Sequence, residues 1–424
     1  MEGKTMEEKL AIEGGPKAVK TELPGIFPGG NDIGEEEQDL ARLALERKYL
    51  FRYYTDVFGG FESIVSQFEK EVAEYLDLKH AHAVTTGTEA IKCALIGHEV
   101  GARADGSLHP EDEVIVPVYT FVSSSFAVAA VGARTVIADV DKTLMLDADD
   151  VQKRITKNTR AIIPVHMRGL PCNMDAIMDV AEKHDIPVIE DTAQAFGASY
   201  HGKQLGTFGT GAFSMQYFKN VTSGEGGVVL TDDDLLYDRI QMASDTSLCW
   251  RPGGPEGRYV AERYKHELFA VPGMGDYRMS EVAGAIALAN FRKLDQRIEN
   301  GRKSKRTIMQ ALEGLELDYV PCNDPDGALG IALLFYCPDV ETTRKAVSAL
   351  QAEGARVSHL HHDDIPDWHI GFHWKPVFVA QPSMYKSYNY LSRVVHMDVM
   401  PQDTEEHCMM QVEAIRKVAL AYFK

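Results

Sequence analysis

The chain contains the stretch Phe213-Ser214-Met215-Gln216-Tyr217-Phe218-Lys219-Asn220-Val221-Thr222-Ser223-Gly224-Glu225-Gly226-Gly227. In it an apolar and aromatic approach leads to one lysine, Lys219, and a loop of small residues follows. Burial lowers the pKa of a lysine, because a low-dielectric environment disfavours the charged form. The neutral amine can attack an aldehyde, so this lysine is suited to hold an aldehyde cofactor as a Schiff base. Taken alone, the stretch is also compatible with a surface lysine beside a glycine turn.

Around this stretch, the segment from residue 81 to residue 243 alternates short apolar runs with segments of helical spacing. Such alternation is typical of a mainly parallel sheet that is covered by helices on both faces. The sequence therefore predicts an α/β fold. The predicted strands are 81–84, 114–116, 135–138, 161–165, 187–190, 211–214 and 227–230, and the predicted helices are 88–100, 123–131, 147–155, 174–184 and 235–243.

Three regions are predicted along the chain. Residues 1–34 form an N-terminal arm, because several prolines and the Gly29-Gly30 pair keep it irregular. Residues 35–295 form a large α/β domain and residues 296–424 a smaller C-terminal α+β domain, with the boundary inside a long helical segment at 280–312. The remaining predicted elements are helices at 35–48, 64–76, 341–353 and 405–422 and strands at 328–336 and 356–358.

The composition is that of an ordinary soluble globular protein, with 45% hydrophobic and 25% charged residues. The formal charge of −19 argues against nucleic acid or an anionic membrane as the main partner. No apolar run has the length of a transmembrane helix, and the N-terminus lacks the apolar segment of a signal peptide. The six cysteines are scattered without metal-site spacing, which predicts reduced thiols, no metal site and a cytoplasmic protein.

Two upstream features complete the requirements of an aldehyde cofactor. Asp191 ends a predicted strand, where ligands of open α/β sheets bind, and its carboxylate can pair with a pyridine nitrogen. Asp is also a common helix N-cap, which is the structural alternative. Gly87 and Thr88 lie between a strand and a helix and can bind phosphate at the helix N-terminus, with Ser214 as a second ligand, although an ordinary capped helix explains the same pattern. Together with Lys219, these residues predict pyridoxal 5′-phosphate (PLP) as the cofactor.

Other residues that follow strands do not decide a role by themselves. Phe121 can stack on a flat heteroaromatic ring, but its position alone favours the core. His166 and Glu190 are predicted to be structural. The loop from His359 to Asp364 carries several His and Asp residues at irregular spacing, and a solvated loop at the substrate entrance is preferred to a metal site.

These motifs occur in the order and spacing of one family. From about Glu35 to Arg297, and more weakly to the C-terminus, the chain resembles the DegT/StrS-type sugar aminotransferases, which are fold-type I PLP enzymes. The motifs that carry the resemblance are Thr86-Gly87-Thr88-Glu89-Ala90, Pro117-Val118-Tyr119-Thr120-Phe121, Pro164-Val165-His166-Met167-Arg168-Gly169, Glu190-Asp191-Thr192-Ala193-Gln194-Ala195-Phe196-Gly197, the stretch 213–227 quoted above, and Tyr277-Arg278-Met279-Ser280-Glu281.

The resemblance implies a role for each matching residue. Lys219 resembles the Schiff-base lysine that also moves the proton, and Asp191 resembles the partner of the ring nitrogen. Gln194 resembles the residue that hydrogen-bonds the phenolic oxygen, and Phe121 resembles the stacking aromatic. The family also implies a homodimer with each site at the subunit interface. The residues that resemble the phosphate cup are Gly87, Thr88 and Ser214.

Some positions depart from the family pattern or refine it. Many members carry Asn two residues before the Arg of the Tyr-Arg-Met-Ser motif, where it reaches the phosphate across the dimer, whereas this chain has Asp276. A carboxylate would repel phosphate, so that contact is not expected here. Gln216 is closer to members that aminate keto-cyclitols or sugars without a nucleotide. The stretch 48–54 is similar to a branch that aminates an octulosonate sugar.

The expected activity is transfer of an amino group from an amino acid, with L-glutamate as the expected donor, to a keto or aldehyde sugar. The favoured acceptor is an 8-oxo-3-deoxy-octulosonate-type sugar acid, giving 8-amino-3,8-dideoxy-octulosonate for lipopolysaccharide. A nucleotide-linked ketosugar or a keto-cyclitol is the alternative acceptor. The less favoured classes are a PLP sugar dehydratase, in which His typically replaces the lysine, and a non-catalytic binding protein. A sugar acid requires a cation, and the candidates are Arg52, Arg168, Arg251 and Arg278.

Overall fold

The computed structural model describes residues 9–247, 271–365, 367–374 and 385–423, with Val57 and Tyr385 described by their backbone alone. Its helices are α1 Glu35–Glu46, α2 Ile64–Tyr75, α3 Gly87–Gly97, α4 Ser123–Ala130, α5 Ala148–Arg154, α6 Met174–His184, α7 Asp234–Ser244, α8 Glu281–Phe291, α9 Leu294–Ala311, α10 Val340–Ala352, α11 Tyr385–Leu391 and α12 Glu405–Tyr422. Its strands are β1 His80–Val84, β2 Glu113–Pro117, β3 Arg134–Ala138, β4 Thr159–Ile162, β5 Ile189–Asp191, β6 Ser199–Tyr200, β7 Lys203–Gln204, β8 Thr210–Ser214, β9 Gly227–Thr231, β10 Asp318–Tyr319, β11 Ala332–Tyr336, β12 Val357–His359 and β13 Val394–Asp398.

The large sheet consists of two groups of strands that isolated bridges join. Strands β3, β2 and β4 pair in parallel, and β5 pairs in parallel with β8. Parallel bridges from Ile162 to Val188 and from Val165 to Asp191 connect the two groups. Strand β9 runs antiparallel to both β8 and β1, so the order across the sheet is β3-β2-β4-β5-β8-β9-β1. This mainly parallel sheet confirms the predicted α/β fold.

The strands next to the Lys219 loop are the most enclosed part of the sheet. Every residue of β8 and of β9 is buried. Helix α3 packs against both strands, and its own residues from Ala90 to Gly97 are buried as well. Strands covered in this way read as continuous apolar runs, which is why their positions were predictable.

The helix predicted at 280–312 is not continuous in the structure. The segment 280–312 forms two helices, α8 and α9, which separate at Arg292 and Lys293. The Lys293 amide bonds the Asn290 carbonyl, which is a tighter turn than an α-helix makes. No Gly or Pro marks this break, so residue spacing does not reveal it. Helix α9 runs through residues 295 and 296, and the division into domains stays a prediction.

A second sheet lies in the C-terminal part of the chain. Its order is β10-β11-β13-β12, and each of its pairs is antiparallel. Helix α10 packs on β12 and β13 and contacts α12, which in turn contacts α9. Helix α11 and strand β13 lie outside the predicted elements, because α11 is short and contains three Tyr residues, and His396 interrupts the apolar run of β13.

The described part of the N-terminal arm is bound to the rest of the molecule. The amides of Ala11 and Ala18 donate to the Glu353 carboxylate at 2.7 and 2.9 Å, and Lys417 Nζ bonds the same carboxylate at 2.9 Å. The arm therefore follows the C-terminal helices before it reaches the Lys219 loop. Among the described residues, no helix combines the length and the apolar character needed to cross a membrane.

Candidate active site

Asp191 lies at the carboxyl end of β5, in the interior of the protein. Its Oδ2 accepts a hydrogen bond of 2.8 Å from the Ser124 hydroxyl, and its Oδ1 accepts one of 3.1 Å from the Ala193 amide. The chain continues there as a turn, so Asp191 is not a helix N-cap. Burial raises the pKa of Asp191, whereas the bonds from Ser124 and Ala193 lower it. A ligand with a positive charge would stabilise the ionised carboxylate at this position.

Lys219 lies in the loop that joins β8 to β9. Its amide donates to the Gln216 carbonyl at 2.8 Å, which forms the turn that presents the side chain. Burial lowers the pKa of Lys219, the charge of Asp191 raises it, and the charge of Arg168 lowers it. The three side chains therefore act on one another although each comes from a different connection of the sheet.

Gly87 and Ser214 are in direct contact at the start of α3. A β-carbon at Gly87 would lie 2.6 Å from Ser214 Cβ and 3.0 Å from its Oγ. A β-carbon at Gly227 would lie 2.2 Å from the Thr86 carbonyl oxygen. The absence of these side chains lets β8, β9 and the first turn of α3 converge, with Thr88 on that turn. Amides at a helix N-terminus and the two hydroxyl side chains form a donor set that suits a phosphate.

Gln194 follows Asp191 and is held by Arg168. The Gln194 Oε1 accepts a hydrogen bond of 3.0 Å from the Arg168 amide. Arg168 has φ 56° and ψ 26°, a left-handed conformation that is uncommon for a residue other than glycine. Its Nε donates to the Tyr119 hydroxyl at 3.3 Å. Since the described residues give the Gln194 amide nitrogen no hydrogen bond, that nitrogen can donate to a ligand oxygen.

Phe121 lies on the open side of this group. Its side chain is 38% exposed, and its ring centroid lies 5.5 Å from that of His369. The Ser124 hydroxyl oxygen, which bonds Asp191, lies 3.2 Å from the Phe121 carbonyl oxygen. The core role that sequence position favours is therefore wrong, and an exposed ring beside Asp191 suits stacking on a flat ligand.

Asp276 is paired within its own chain. Its Oδ1 accepts a hydrogen bond of 2.6 Å from Arg278, and the Thr246 hydroxyl bonds the same oxygen at 3.1 Å. Arg278 also contacts Asp245 at 2.9 Å. The pKa of Asp276 is lowered by these hydrogen bonds, which outweigh the opposing effect of burial. Arg278 is thus occupied by two carboxylates and is not a free cation for a substrate.

The remaining candidate arginines differ sharply in their surroundings. Arg52 is buried, and its Nη2 bonds both carboxylate oxygens of Glu69, at 2.7 and 2.6 Å. Arg251 lies outside the described residues. Arg168 makes no salt bridge within the described residues and acts electrostatically on Lys219. Of the arginines that can be compared, Arg168 is therefore the one positioned for an anionic ligand.

Glu190 and His166 have the structural roles that the sequence indicates. The Glu190 carboxylate accepts hydrogen bonds from the amides of Gly206, Phe208 and Gly209 at 2.8, 2.7 and 2.9 Å. His166 is fully buried, and its Nε2 lies 3.3 Å from the same carboxylate. These contacts fix the loop before β8.

The loop from His359 to Asp364 is less solvated than expected. His361 is buried, and its ring packs against Phe372 and Tyr388. Asp363 accepts hydrogen bonds of 2.9 Å from Arg344 and from Tyr388. The burial of His361 follows from its packing against the segment 371–373. That segment directly follows Ile370, which pairs with Tyr119 near Phe121.

Two residues that contact the site were not among the predicted site residues. Ser124 belongs to the run Ser123-Ser124-Ser125, and its position shortly after the motif that ends at Phe121 is the signal that points to it. His369 has no local signal, because it reaches Phe121 only through tertiary pairing. The amides of Thr120 and Val122 donate to the carbonyls of His369 and Trp368 at 3.0 and 2.9 Å.

The residues present fit pyridoxal 5′-phosphate. The close contact of Gly87 with Ser214 brings the N-terminus of α3 together with the hydroxyl groups of Thr88 and Ser214, a donor set that suits a phosphate. The buried carboxylate of Asp191 matches a protonated ring nitrogen, and Phe121 provides an exposed aromatic face. The lowered pKa of Lys219 favours the neutral amine that an aldehyde requires. Each chemical part of the cofactor thus has a counterpart among these residues.

Comparison with known proteins relates most of the chain to one family. The model of the DegT/DnrJ/EryC1/StrS aminotransferase family matches residues 58–416. A GDP-perosamine synthase of Caulobacter vibrioides is 38% identical over 280 residues, which is 66% of this chain and 67% of that protein. The structure of 3-amino-5-hydroxybenzoic acid synthase is similar with a TM-score of 0.77 and 26% identity, over 94% of this chain and 99% of that chain. An aminotransferase from Psychrobacter cryohalolentis has a TM-score of 0.78 and 25% identity, over 93% and 98% of the two chains.

Proposed function

Because the chain belongs to the DegT/DnrJ/EryC1/StrS aminotransferase family, we propose that it is a PLP-dependent sugar aminotransferase whose donor is L-glutamate. The proposed acceptor is an 8-oxo-3-deoxy-octulosonate-type sugar acid, which would become 8-amino-3,8-dideoxy-octulosonate, a sugar of lipopolysaccharide. The observation that carries the assignment is that the buried Asp191 ends β5 and that Lys219 follows β8, the strand that pairs in parallel with β5.

The side chains divide the work of the reaction among them. The bound cofactor supplies an aldehyde and an electron-withdrawing ring. Lys219 Nζ holds the cofactor and, as a neutral amine, takes the proton from the α-carbon of the donor. Asp191 keeps a proton on the ring nitrogen, and Phe121 and Gln194 orient the ring. The proposed phosphate ligands are Gly87, Thr88 and Ser214.

The overall reaction exchanges an amine for a carbonyl group. The donor gives up its amino group and leaves as a 2-oxo acid, and the acceptor carbonyl becomes an amine. Both half-reactions use the same site, so we expect ping-pong kinetics. The water released in one half-reaction is consumed in the other, and no external oxidant or reductant is required.

Two observations favour different acceptors, one a sugar acid without a nucleotide and the other a nucleotide-linked ketosugar. Gln216 and the stretch 48–54 favour a sugar acid without a nucleotide. The Gln216 Oε1, however, accepts a hydrogen bond of 2.9 Å from the Phe218 amide, which gives this residue a local role in the turn. The 38% identity to a GDP-perosamine synthase favours a nucleotide-linked ketosugar as the second candidate.

Cofactor uptake tests the role of Lys219. Apoprotein is titrated with pyridoxal 5′-phosphate, and the visible absorption band of the lysine-bound cofactor is recorded for the wild type and for Lys219→Ala. We expect the band in the wild type and its loss in Lys219→Ala. Lys70→Ala, at an exposed lysine, serves as the matched control and is expected to keep the band. A band that persists unchanged in Lys219→Ala contradicts the assignment.

A panel of acceptors tests the substrate. The amine form of the wild-type protein is mixed with an octulosonate-type aldehyde, a nucleotide-linked ketosugar and a keto-cyclitol, and return to the aldehyde form is followed by absorbance. Conversion by the octulosonate-type sugar supports the proposal. Conversion by the nucleotide-linked sugar alone assigns the second candidate instead. Release of ammonia without an amino donor would indicate a dehydratase.

We also propose a cytoplasmic homodimer with each site at the subunit interface. The support is the pair Tyr217 and Phe218, which are 40% and 50% exposed although they immediately precede Lys219. Apolar surface of this kind beside a site is typical of a protein interface. Light scattering that gives the mass of a single chain at micromolar concentration would contradict the dimer.

A further inference from the structure

Arg168 has a positive charge that the described residues do not neutralise by a salt bridge. Its one side-chain hydrogen bond among them is the 3.3 Å bond from Nε to the Tyr119 hydroxyl. Within the described residues, neither Nη group of the guanidinium has a hydrogen-bond acceptor, so both can donate to a ligand there. A guanidinium is planar and presents paired donors that match the two oxygens of a carboxylate.

Two acidic side chains act electrostatically on Arg168, and among the described residues neither forms a hydrogen bond or a salt bridge with it. Asp367 Oδ1 accepts hydrogen bonds of 2.7 and 3.0 Å from the amide and the Nδ1 of His369. Asp398 Oδ1 lies 3.4 Å from His396 Nε2. Both carboxylates act on Arg168 through space without bonding it. Their negative charges oppose the effect of burial on the pKa of Arg168 and raise that pKa, so the guanidinium stays charged.

The position of Arg168 places its charge at the reacting end of the site. Its amide bonds Gln194, and Val165, three residues earlier, pairs with Asp191 in the sheet. The positive charge of Arg168 also lowers the pKa of Lys219, in addition to the larger effect of burial. The left-handed backbone of Arg168 costs energy, and such strain is retained where the surrounding structure determines it.

We propose that Arg168 binds the α-carboxylate of the amino donor and thereby restricts the donor to α-amino acids. This inference rests on the proposed aminotransferase function. The α-carboxylate is attached to the carbon that bears the reacting amine, so its binding group must lie beside Lys219. In the proposed sugar acid the carboxylate lies at the opposite end of the carbon chain from the reacting carbon. A cation beside Lys219 therefore suits the donor better than the acceptor.

The test compares two donors that differ only in the α-carboxylate. PLP-loaded wild type and Arg168→Gln are mixed with L-glutamate or with 4-aminobutanoate, and conversion to the amine form is followed in a single turnover. We expect Arg168→Gln to lose about tenfold to a hundredfold in rate with subsaturating L-glutamate, the worth of a charge-assisted hydrogen bond. Its rate with 4-aminobutanoate should fall less than its rate with L-glutamate, because that reaction loses only the effect of the Arg168 charge on Lys219. Arg168→Lys should retain part of the preference for L-glutamate.

A binding measurement gives a readout that does not depend on turnover. Glutarate, an unreactive dicarboxylate, is titrated into both proteins by calorimetry, and we expect at least about tenfold weaker binding to Arg168→Gln. Arg306→Gln, at an exposed ion pair of α9, is the control for general effects of charge removal and should bind as the wild type does. The absorption band and the unfolding midpoint establish that each variant is folded and loaded.

Three results would overturn the inference. The first is an unchanged ratio of L-glutamate to 4-aminobutanoate rates in both Arg168 variants. The second is an equal loss with both donors. The third is a loss confined to the reaction with the sugar-acid acceptor, which would assign the guanidinium to that carboxylate. A wild-type protein that converts no amino acid would overturn the proposed function as well, whereas wild-type conversion with unchanged discrimination in the variants removes this inference alone.

Discussion

The backbone amide of Gly29 donates a hydrogen bond of 3.0 Å to the carbonyl oxygen of Lys219. A β-carbon at Gly29 would lie 2.8 Å from the same oxygen, so the arm approaches as closely as a glycine allows. The next carbonyl, that of Asn220, accepts a hydrogen bond of 2.5 Å from Arg297 Nη1, and Arg297 Nε bonds Asp32 at 2.7 Å. The N-terminal arm and α9 together therefore hold the backbone of the loop that carries Lys219.

The first prediction concerns this brace, by which we mean the contacts of Arg297 with Asp32 and with the Asn220 carbonyl. Arg297 is 1% exposed, and replacement by Met leaves the Asn220 carbonyl without its donor and Asp32 without its partner. We expect Arg297→Met to lower the free energy of unfolding by about 3 kcal/mol, near the lower end for a broken buried pair because Asp32 is partly exposed. Transaminase activity should fall as well, because the Lys219 loop loses its support.

Urea unfolding measures the change in stability, and a transaminase assay of the cofactor-loaded protein measures the change in activity. Arg306→Met is the matched control, since Arg306 lies on the same helix in an exposed pair with Glu299, and it should change stability by less than about 0.5 kcal/mol. Equal stability of the Arg297 and Arg306 variants would show that the brace does not contribute.

The second prediction concerns the contact between Gly87 and Ser214. In Gly87→Ala the added carbon would meet Ser214 Cβ at 2.6 Å, so the first turn of α3 and the end of β8 must separate. We expect affinity for pyridoxal 5′-phosphate to fall by about tenfold or more, which fluorescence titration of the apoprotein measures. Gly34→Ala, where the nearest atom lies 3.8 Å away, should bind the cofactor as the wild type does. Unchanged affinity in Gly87→Ala would exclude this contact from the phosphate site.

The third prediction concerns the stability cost of Asp191. Burial raises the pKa of Asp191 above its value of 3.8 in the unfolded chain, so the folded state binds the proton more tightly. Stability of the apoprotein therefore falls as pH rises between these two pKa values, and the cost persists at neutral pH. Asp191→Asn should make the apoprotein at least as stable as the wild type at pH 7 while abolishing transaminase activity. Urea unfolding of both apoproteins checks this, and a less stable Asp191→Asn at pH 7 would contradict it.

The fourth prediction concerns acid sensitivity. His82 is fully buried, its Nε2 lies 2.6 Å from the Ser244 hydroxyl, and burial together with the charge of Arg52 lowers its pKa well below 6.5. The unfolded state therefore binds a proton below pH 6.5 that the folded state does not, and stability falls as pH falls. This one site contributes about 1.4 kcal/mol per pH unit. His82→Gln should reduce the slope of unfolding free energy against pH by that amount between pH 6 and pH 5, and an identical slope in the variant would contradict the role of His82.

Much of the fold and of the site chemistry could be predicted because the relevant signals are local. The strand that ends at Asp191 and the strand that ends at Ser214 each finish on a polar residue, and parallel strands bring such ends to one edge of a sheet. Glycines at positions 87 and 227 mark close approaches, which the clashes of added β-carbons reproduce. The break between α8 and α9 was not predictable, because no Gly or Pro accompanies it.

The sequence by itself determined which chemical groups the protein possesses, namely a lysine after an apolar strand, a carboxylate at a strand end and small residues at the start of a helix. Tertiary structure decided which groups act together. It pairs Arg52 and Arg278 with carboxylates, which distinguishes them from Arg168. It also brings the ring of His369 next to that of Phe121. The physical reason is that ion pairs and close contacts depend on distances between residues far apart in the chain, which packing sets and local spacing does not encode.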